Sequence, residues 1–242
     1  MTAPPDPHKP LRDDVSMLGE MLGDALRGRE GPELFETVER IRQIAKAARA
    51  GDEHALGSLE EPLRALPLGM AVPVARAFSH FLTLANIAEE HHRVRRRRDY
   101  LRDPAAGPQP GSFTETFRRL LAAGVTPEAL HQAVTSMRVE IVLTAHPTAI
   151  TRRSLAGKHV RIAQALARLD RDDLTVDERL DVHDDLRREI LAIWGTEDVR
   201  LRRPTPMEEV RSGLFIFEQT VWDALPRYLR ALDRALREAT AS

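Results

Sequence analysis

The chain has 242 residues, 42% hydrophobic and 30% charged, the balance of an ordinary globular protein with enough apolar mass for a buried core in one or two domains. Thirty-six basic residues against 37 acidic ones leave a formal charge of −1, which gives no global pull toward nucleic acid or membrane, and the lack of cysteine excludes disulfides and thiolate metal sites. The apolar runs read as too short to cross a bilayer and the N-terminus has no signal-peptide core, so the expectation is a cytoplasmic protein with neither nucleic acid nor membrane among its partners.

Residues 1–11 carry Pro4, Pro5, Pro7 and Pro10 and are expected to form a disordered tail; residues 12–242 read as a predominantly helical region. Leu34, Val38, Ile41 and Ile44 recur at helical spacing, as do Phe78, Phe81, Leu82 and Ala85. Asp103 to Gly111, with three prolines, is a loop. Helix starts follow at Ser112-x-x-Glu115, Thr126-Pro127, Thr175-x-x-Glu178 and Thr205-Pro206-x-Glu208, where a hydroxyl can cap the free amides of the first turn. The last helical pattern, about 206 to 239, contains Pro226 and is expected to kink or break there. No internal repeat occurs.

One strand is predicted, near 139–145. Its almost continuous apolar content suits a strand covered on both faces, with helices expected at about 127–137 and 151–169. A lone strand cannot satisfy its own backbone groups, so it must pair outside this chain or be covered in some other way.

His146 ends that strand and Pro147 follows it. Proline disfavours the helical region for the residue before it, so His146 is held extended and its direction is set by the backbone. Two readings stand side by side: a histidine hydrogen-bonded at a strand end for structural reasons, or one fixed for proton transfer. Arg152 and Arg153 fall in the first turn of the next helix, where cations oppose the helix dipole and free amides favour an anion. They read either as a phosphate site or as ordinary ion pairs with acids of another helix.

Other clusters read more plainly. Arg93 and Arg95–Arg98 form a solvated basic face near a helix end; they lack the interleaved aromatics of a nucleic-acid surface. Glu89-x-x-His92 and Glu128-x-x-His131 have the spacing used by di-metal helical bundles, but two further glutamates would be needed. Trp194, Phe215, Phe217 and Trp222 read as core packing.

Val142-Leu143-Thr144-Ala145-His146-Pro147-Thr148 resembles the histidine signature of phosphoenolpyruvate carboxylase. Arg152-Arg153-Ser154-Leu155, Lys158 and Arg161-Ile162 follow at that family's spacing, then Trp194, Thr196, Arg200, Pro204-Thr205-Pro206, Glu209, Gly213, Glu218, Trp222, Pro226 and Leu229-Arg230. Upstream, Ala75-Arg76-Ala77-Phe78 and Leu84 to Glu89 are similar too, so the resemblance covers roughly residues 12 to 240.

The resemblance implies a fold class: mainly α, the helical N-terminal part of a β/α-barrel enzyme whose single barrel strand here is the one near 139–145. It implies a reaction: phosphoenolpyruvate and bicarbonate give oxaloacetate and phosphate, an anaplerotic supply of the tricarboxylic acid cycle, with His146 catalytic. Arg152 and Arg153 would bind phosphate or a sugar-phosphate effector. Magnesium or manganese would assist, with ligands outside this chain, and the intact enzyme would be a homo-tetramer. Family members are several times longer, so the chain is expected to be an N-terminal piece lacking the C-terminal portion and inactive alone. Two departures matter: Ala149 stands where the family usually has a glutamate or glutamine, and Glu197-Asp198 reverses the commoner acidic order. The alternative is a non-catalytic helical module that binds a phosphorylated metabolite or docks a separate C-terminal half.

Overall fold

The computed structural model describes residues 6–51, 53–103, 105–140, 153–196 and 205–241, and among them every regular element is a helix. In chain order these are α1 (Lys9–Glu30), α2 (Pro32–Arg49), α3 (Glu53–Arg64), α4 (Leu68–Arg102), α5 (Phe113–Ala122), α6 (Pro127–Ser136), α7 (Arg153–Leu169), α8 (Val176–Trp194), α9 (Pro206–Ile216), a π-helical turn (Phe217–Val221) and α10 (Trp222–Thr240). The mainly α class is as expected. Of the predicted strand, Val139 and Glu140 carry no regular structure, and 141–145 lie outside the described residues.

The helix starts follow from local chemistry. Thr175 and Thr205 each accept a hydrogen bond from the amide three residues on, and Glu178 and Glu208 reach back to the cap amide, closing both capping boxes. Ser112 caps α5 through the Glu115 amide, but the Glu115 carboxylate turns to the Gly111 amide instead, so that box stays half closed. Thr126 caps α6 with Pro127 behind it. Between α1 and α2, Gly31 sits at φ +90°, a conformation closed to most side chains, and Pro32 starts the next helix.

Two expectations need correction. α1 begins at Lys9, inside the stretch read as a tail, because Pro10 falls in the first turn, where its missing amide costs nothing. Pro226 does not end the last helix: it lies within the first turns of α10, and the irregularity comes earlier, as the π-turn at Phe217–Val221.

The chain divides into two units, residues 1–94 with 152–198 and residues 95–151 with 199–242. In the first, Leu18, Leu22 and Leu26 of α1 meet Ile162 and Leu166 of α7 and Val182, Leu186, Ile190 and Ile193 of α8 in one buried cluster. Each set repeats every three or four residues, which keeps it on one helix face. α2 lies close against α1: a Cβ on Gly23 would stand 3.0 Å from the Phe35 ring, so a glycine permits the approach. Trp194 ties the unit together. Its Nε1 donates to Glu30 Oε1 at 2.9 Å, its carbonyl accepts from Arg76 at 2.8 Å, the same guanidinium lies 4.5 Å over its ring, and His80 meets the ring edge-on.

In the second unit, Leu232, Ala235, Leu236 and Ala239 of α10 pack on Phe113, Phe117 and Leu121 of α5 and on Leu130 and Val134 of α6. Tyr228 meets Phe113 edge-on at 5.1 Å. This core is smaller than the first.

Among the described residues one helix, Leu68–Arg102, is long and apolar enough to cross a membrane by length and composition, contrary to the reading that all apolar runs are too short. The individual runs are short, but a helix of 35 residues joins them. Val74, Ala77, Leu84, Ile87 and Ala88 of that helix lie in the first unit's core, and Arg76, His80 and His91 have polar or aromatic partners there, the use a core helix makes of such a stretch.

Leu186 is fully buried between α1, α7 and α8. Leu186→Ala is expected to destabilise the chain by about 2–5 kcal/mol through lost burial and the cavity left behind. Urea unfolding measures it; a cost below about 1 kcal/mol would show that this seam does not hold the unit together.

Candidate functional site

The predicted site residues fall around the start of α7. His146 and Arg152 lie outside the described residues, and Arg153 is described as the first residue of α7, its side chain excepted. Arg153 is carried by α7.

α7 is anchored along its length to the first unit. Leu155, Ile162, Ala165 and Leu166 are buried in the main core. Arg161 forms a two-pronged pair with Glu189 of α8 at 2.6 and 2.9 Å, and Arg168 pairs with Asp185 at 3.4 Å. Just past its C-terminus, Asp170 is hydrogen-bonded to the buried His91 ring of α4 at 2.8 Å. The position of Arg153 is thus fixed at the backbone by packing further down the helix.

The first turn of α7 has no acidic residue. Of the basic residues that follow at family spacing, Arg161 is spent on Glu189 and Lys158 reaches the Ser154 carbonyl at 3.4 Å. The choice between an anion site and ion pairs concerns Arg152 and Arg153, whose side chains lie outside the described residues. His159 is held below its usual value of 6.5, first by burial and then by the Lys158 charge. His183 on α8 shifts the same way, by burial and the neighbouring Arg187 and Arg179 charges against a smaller opposite effect of Asp184.

The other candidates resolve differently. Among the described residues no three His, Cys, Asp or Glu side chains gather to hold a metal ion. On α4 the Glu89 carboxylate turns outward to Arg93, while His92 is buried and stacks obliquely on His8, so this pair does not converge on one point. The basic run is engaged locally: Arg93 pairs with Glu89, and Arg96 pairs with Asp99 and lies over the Tyr100 ring. Trp194 is core as expected, but Phe217 and Trp222 are exposed, which corrects the core reading for both. A cavity of about 730 Å³ between α1, α2 and α4 has an apolar floor of Leu22, Leu26, Phe35, Val38, Phe78 and Phe81; its rim charges are already paired as Arg27–Asp24 and Arg42–Glu39. It contains none of the predicted site residues.

Sequence reasoning missed Arg76. It singled the residue out only as part of a similar string, whereas the side chain clamps the end of α8 through the carbonyls of Trp194 and Thr196. An arginine one helical register from a buried seam was the available signal, but its partners lie more than a hundred residues away.

Comparison with known proteins adds a family. The family model for phosphoenolpyruvate carboxylase matches residues 11–242. "Phosphoenolpyruvate carboxylase 2" of Chlamydomonas reinhardtii is 44% identical over 239 residues, covering 96% of this chain and 19% of that protein. The "Phosphoenolpyruvate carboxylase" of Stutzerimonas stutzeri is 44% identical over 234 residues, and that of Acinetobacter baumannii 40% over 229; each alignment covers 95% of this chain and 26% of the relative. The chain spans about a fifth to a quarter of the length of the curated relatives it matches.

The depressed histidines set a pH dependence. Protonation favours the unfolded chain, whose histidines titrate near 6.5, so stability is full above that pH and falls as pH drops through it toward the folded values. His159→Gln is expected to remove part of this loss. Urea unfolding at about pH 7.5 and about pH 5.5 checks it; an unchanged difference between the two would overturn the assignment.

Proposed function

The chain belongs to the phosphoenolpyruvate carboxylase family, and from that premise we propose that it supplies the histidine-bearing N-terminal part of an enzyme making oxaloacetate and phosphate from phosphoenolpyruvate and bicarbonate in the cytoplasm. The single observation that carries the proposal is the unbroken family match across residues 11–242, which includes the Val142–Thr148 signature and both arginines after it.

The proposed chemistry runs in three steps. A bicarbonate oxygen attacks phosphorus, and the bond from phosphorus to the enol oxygen breaks, leaving carboxyphosphate and the enolate of pyruvate. Carboxyphosphate gives its proton to the His146 imidazole and splits into carbon dioxide and phosphate. The enolate carbon then bonds to carbon dioxide, forming oxaloacetate. A histidine suits the middle step because it accepts a proton near neutral pH and, before doing so, adds no charge beside two anions. Pro147 disfavours the helical region for the residue before it, which supports the role by limiting the freedom His146 would lose when it acts.

Family members of this type are expected to use magnesium or manganese. Among the described residues no three His, Asp or Glu side chains form a fitting ligand set. Arg152 and Arg153 are proposed to hold a phosphate, either of the substrate or of a sugar-phosphate effector. The acid-free first turn of α7 supports an anion there.

The isolated chain is expected to show no turnover in a coupled malate dehydrogenase assay with phosphoenolpyruvate, bicarbonate and magnesium; turnover would overturn that expectation. Joined to the C-terminal part of a relative, the wild-type chain is expected to support turnover and His146→Asn to lower kcat by about 10²- to 10⁴-fold. A kcat unchanged by His146→Asn would remove the histidine from the chemistry. Arg153→Ala is expected to weaken sugar-phosphate binding in calorimetry at least tenfold, and unchanged affinity would remove the arginine from the anion site.

A further inference from the structure

Helix α1 lacks side chains at two points a turn apart, and the neighbouring helices use both. A Cβ on Gly23 would stand 3.0 Å from the Phe35 ring of α2, and one on Gly19 would stand 3.2 Å from the Phe81 ring of α4. Each ring therefore rests against α1 at a place that a larger residue would occupy. Around these rings, with Phe78 and Val38, lies the cavity of about 730 Å³ in the first unit. All four side chains are only half-buried, so folding leaves apolar surface from each of them around one concavity. Small-molecule sites have this character: about 300–1,000 Å³, mostly apolar walls and a few placed polar groups.

The rim selects the chemical class of ligand. Six charged side chains line the cavity: Arg12, Arg27 and Arg42 against Glu20, Asp24 and Glu39. Arg27 pairs with Asp24, Arg42 grips Glu39 through two hydrogen bonds of 2.8 and 2.6 Å, and Arg12 pairs with Asp6. Glu20 accepts the Ser16 hydroxyl at 3.0 Å, and among the described residues no cation pairs with it. Once the pairs cancel, one negative charge remains on the rim, next to Gly19. The walls favour the same sign of ligand. An aromatic face attracts a cation, and the Arg27 guanidinium already lies 3.9 Å over the Phe35 ring. An anion would meet Glu20 and find each rim arginine already holding an acid.

We infer that the cavity between α1, α2 and α4 is a binding site for a small cationic molecule with a flat apolar body, of the arylalkyl amine class. The body lies against Phe35, Phe78 and Phe81, and the ammonium reaches Glu20. The inference stands apart from the carboxylase reading, since it uses none of the residues assigned to that chemistry.

The test uses the full chain and probes that share one body but differ in charge: naphthylethylamine, naphthylethanol and naphthylacetate. In titration calorimetry at neutral pH the amine is expected to bind about fivefold or more tighter than the acetate, with the alcohol between them. Glu20→Gln is expected to weaken the amine about three- to fivefold, as loss of a solvent-accessible ion pair would, and to leave the alcohol unchanged. Val38→Phe, which fills the cavity from α2, is expected to weaken all of the probes by about tenfold or more. Glu20 is exposed, so its variant keeps the test independent of whether Val38→Phe folds, which circular dichroism reports. No binding of the amine overturns the inference, as does equal affinity for amine and acetate or an amine affinity indifferent to Glu20→Gln. Unchanged binding by a folded Val38→Phe puts the ligand elsewhere and overturns it too. Two further results would show the cavity filled by polypeptide, with the same consequence. One is a dimer of the chain that Val38→Phe dissolves in sedimentation. The other is amine binding that is lost when the chain is joined to the C-terminal part of a relative. Turnover is not read in any arm, so failure of the carboxylase reading leaves this outcome untouched.

Discussion

Trp194 is the constraint on which the first unit depends. One side chain at the end of α8 donates a hydrogen bond to Glu30 at the end of α1 and receives the Arg76 guanidinium of α4 on its ring, while its own carbonyl accepts from that same arginine. Three helices distant in sequence are thereby tied at one point, by bonds spanning 164 and 118 residues. Each contact alone is modest: about 1 kcal/mol for a hydrogen bond, somewhat more to a charged partner, and about 0.5–2 kcal/mol for a cation over a ring. Together they do what apolar burial cannot, because burial is non-directional while a donor and a stacked cation fix rotation and height. The leucine and isoleucine seam of α1, α7 and α8 supplies the larger driving force, and the tryptophan decides how the helices are aligned when it forms.

That division explains which parts of the molecule could be read from sequence. Thr175 with Glu178 and Thr205 with Glu208 form within four residues, so their spacing is enough to place the helix starts. Leu34 and Ile41 of α2, read from their helical spacing, are buried in the main core. Arg76 was not legible as a clamp, since nothing local to it names Trp194. Phe217 and Trp222 were misread for a related reason. An aromatic side chain is core only where something covers it, and covering is a tertiary fact. Pro226 was misread because the rule puts the break at the proline itself, whereas the departure from α geometry lies in the π-turn just before α10, and Pro226 sits inside that helix. The candidate site was legible as residue types in order: Pro147 constrains His146 locally, but no local rule sets its distance from Arg152 or Arg153.

α7 carries one of the candidate site residues. Its start carries Arg153 with no acid in the first turn, an arrangement unfavourable to the helix dipole by about 0.3–1 kcal/mol per cation. Its body buries Leu155, Ile162 and Leu166, each worth about 1.5–3 kcal/mol when fully removed from water. The second quantity exceeds the first several-fold, so the helix persists with its electrostatically poor start. Helix stability therefore does not account for the arginine. Glutamate or aspartate there would serve the helix better, as Asp177 and Glu178 do on α8 and Glu208 and Glu209 do on α9.

Arg153 is thus a cation that the helix tolerates but does not need. Arg161, two turns on, has its partner in Glu189 and completes the α7–α8 contact, so the structural demand for arginine in this helix is met away from its start. The amide donors of a first turn and a guanidinium beside them favour the same charge sign in a ligand, and neither requires the other to be mobile. Burial, Arg161 and the His91–Asp170 contact anchor α7 along its length, with Leu155 of its first turn in the same core. The packing seam thus holds the body of α7 and, through it, the backbone position of Arg153.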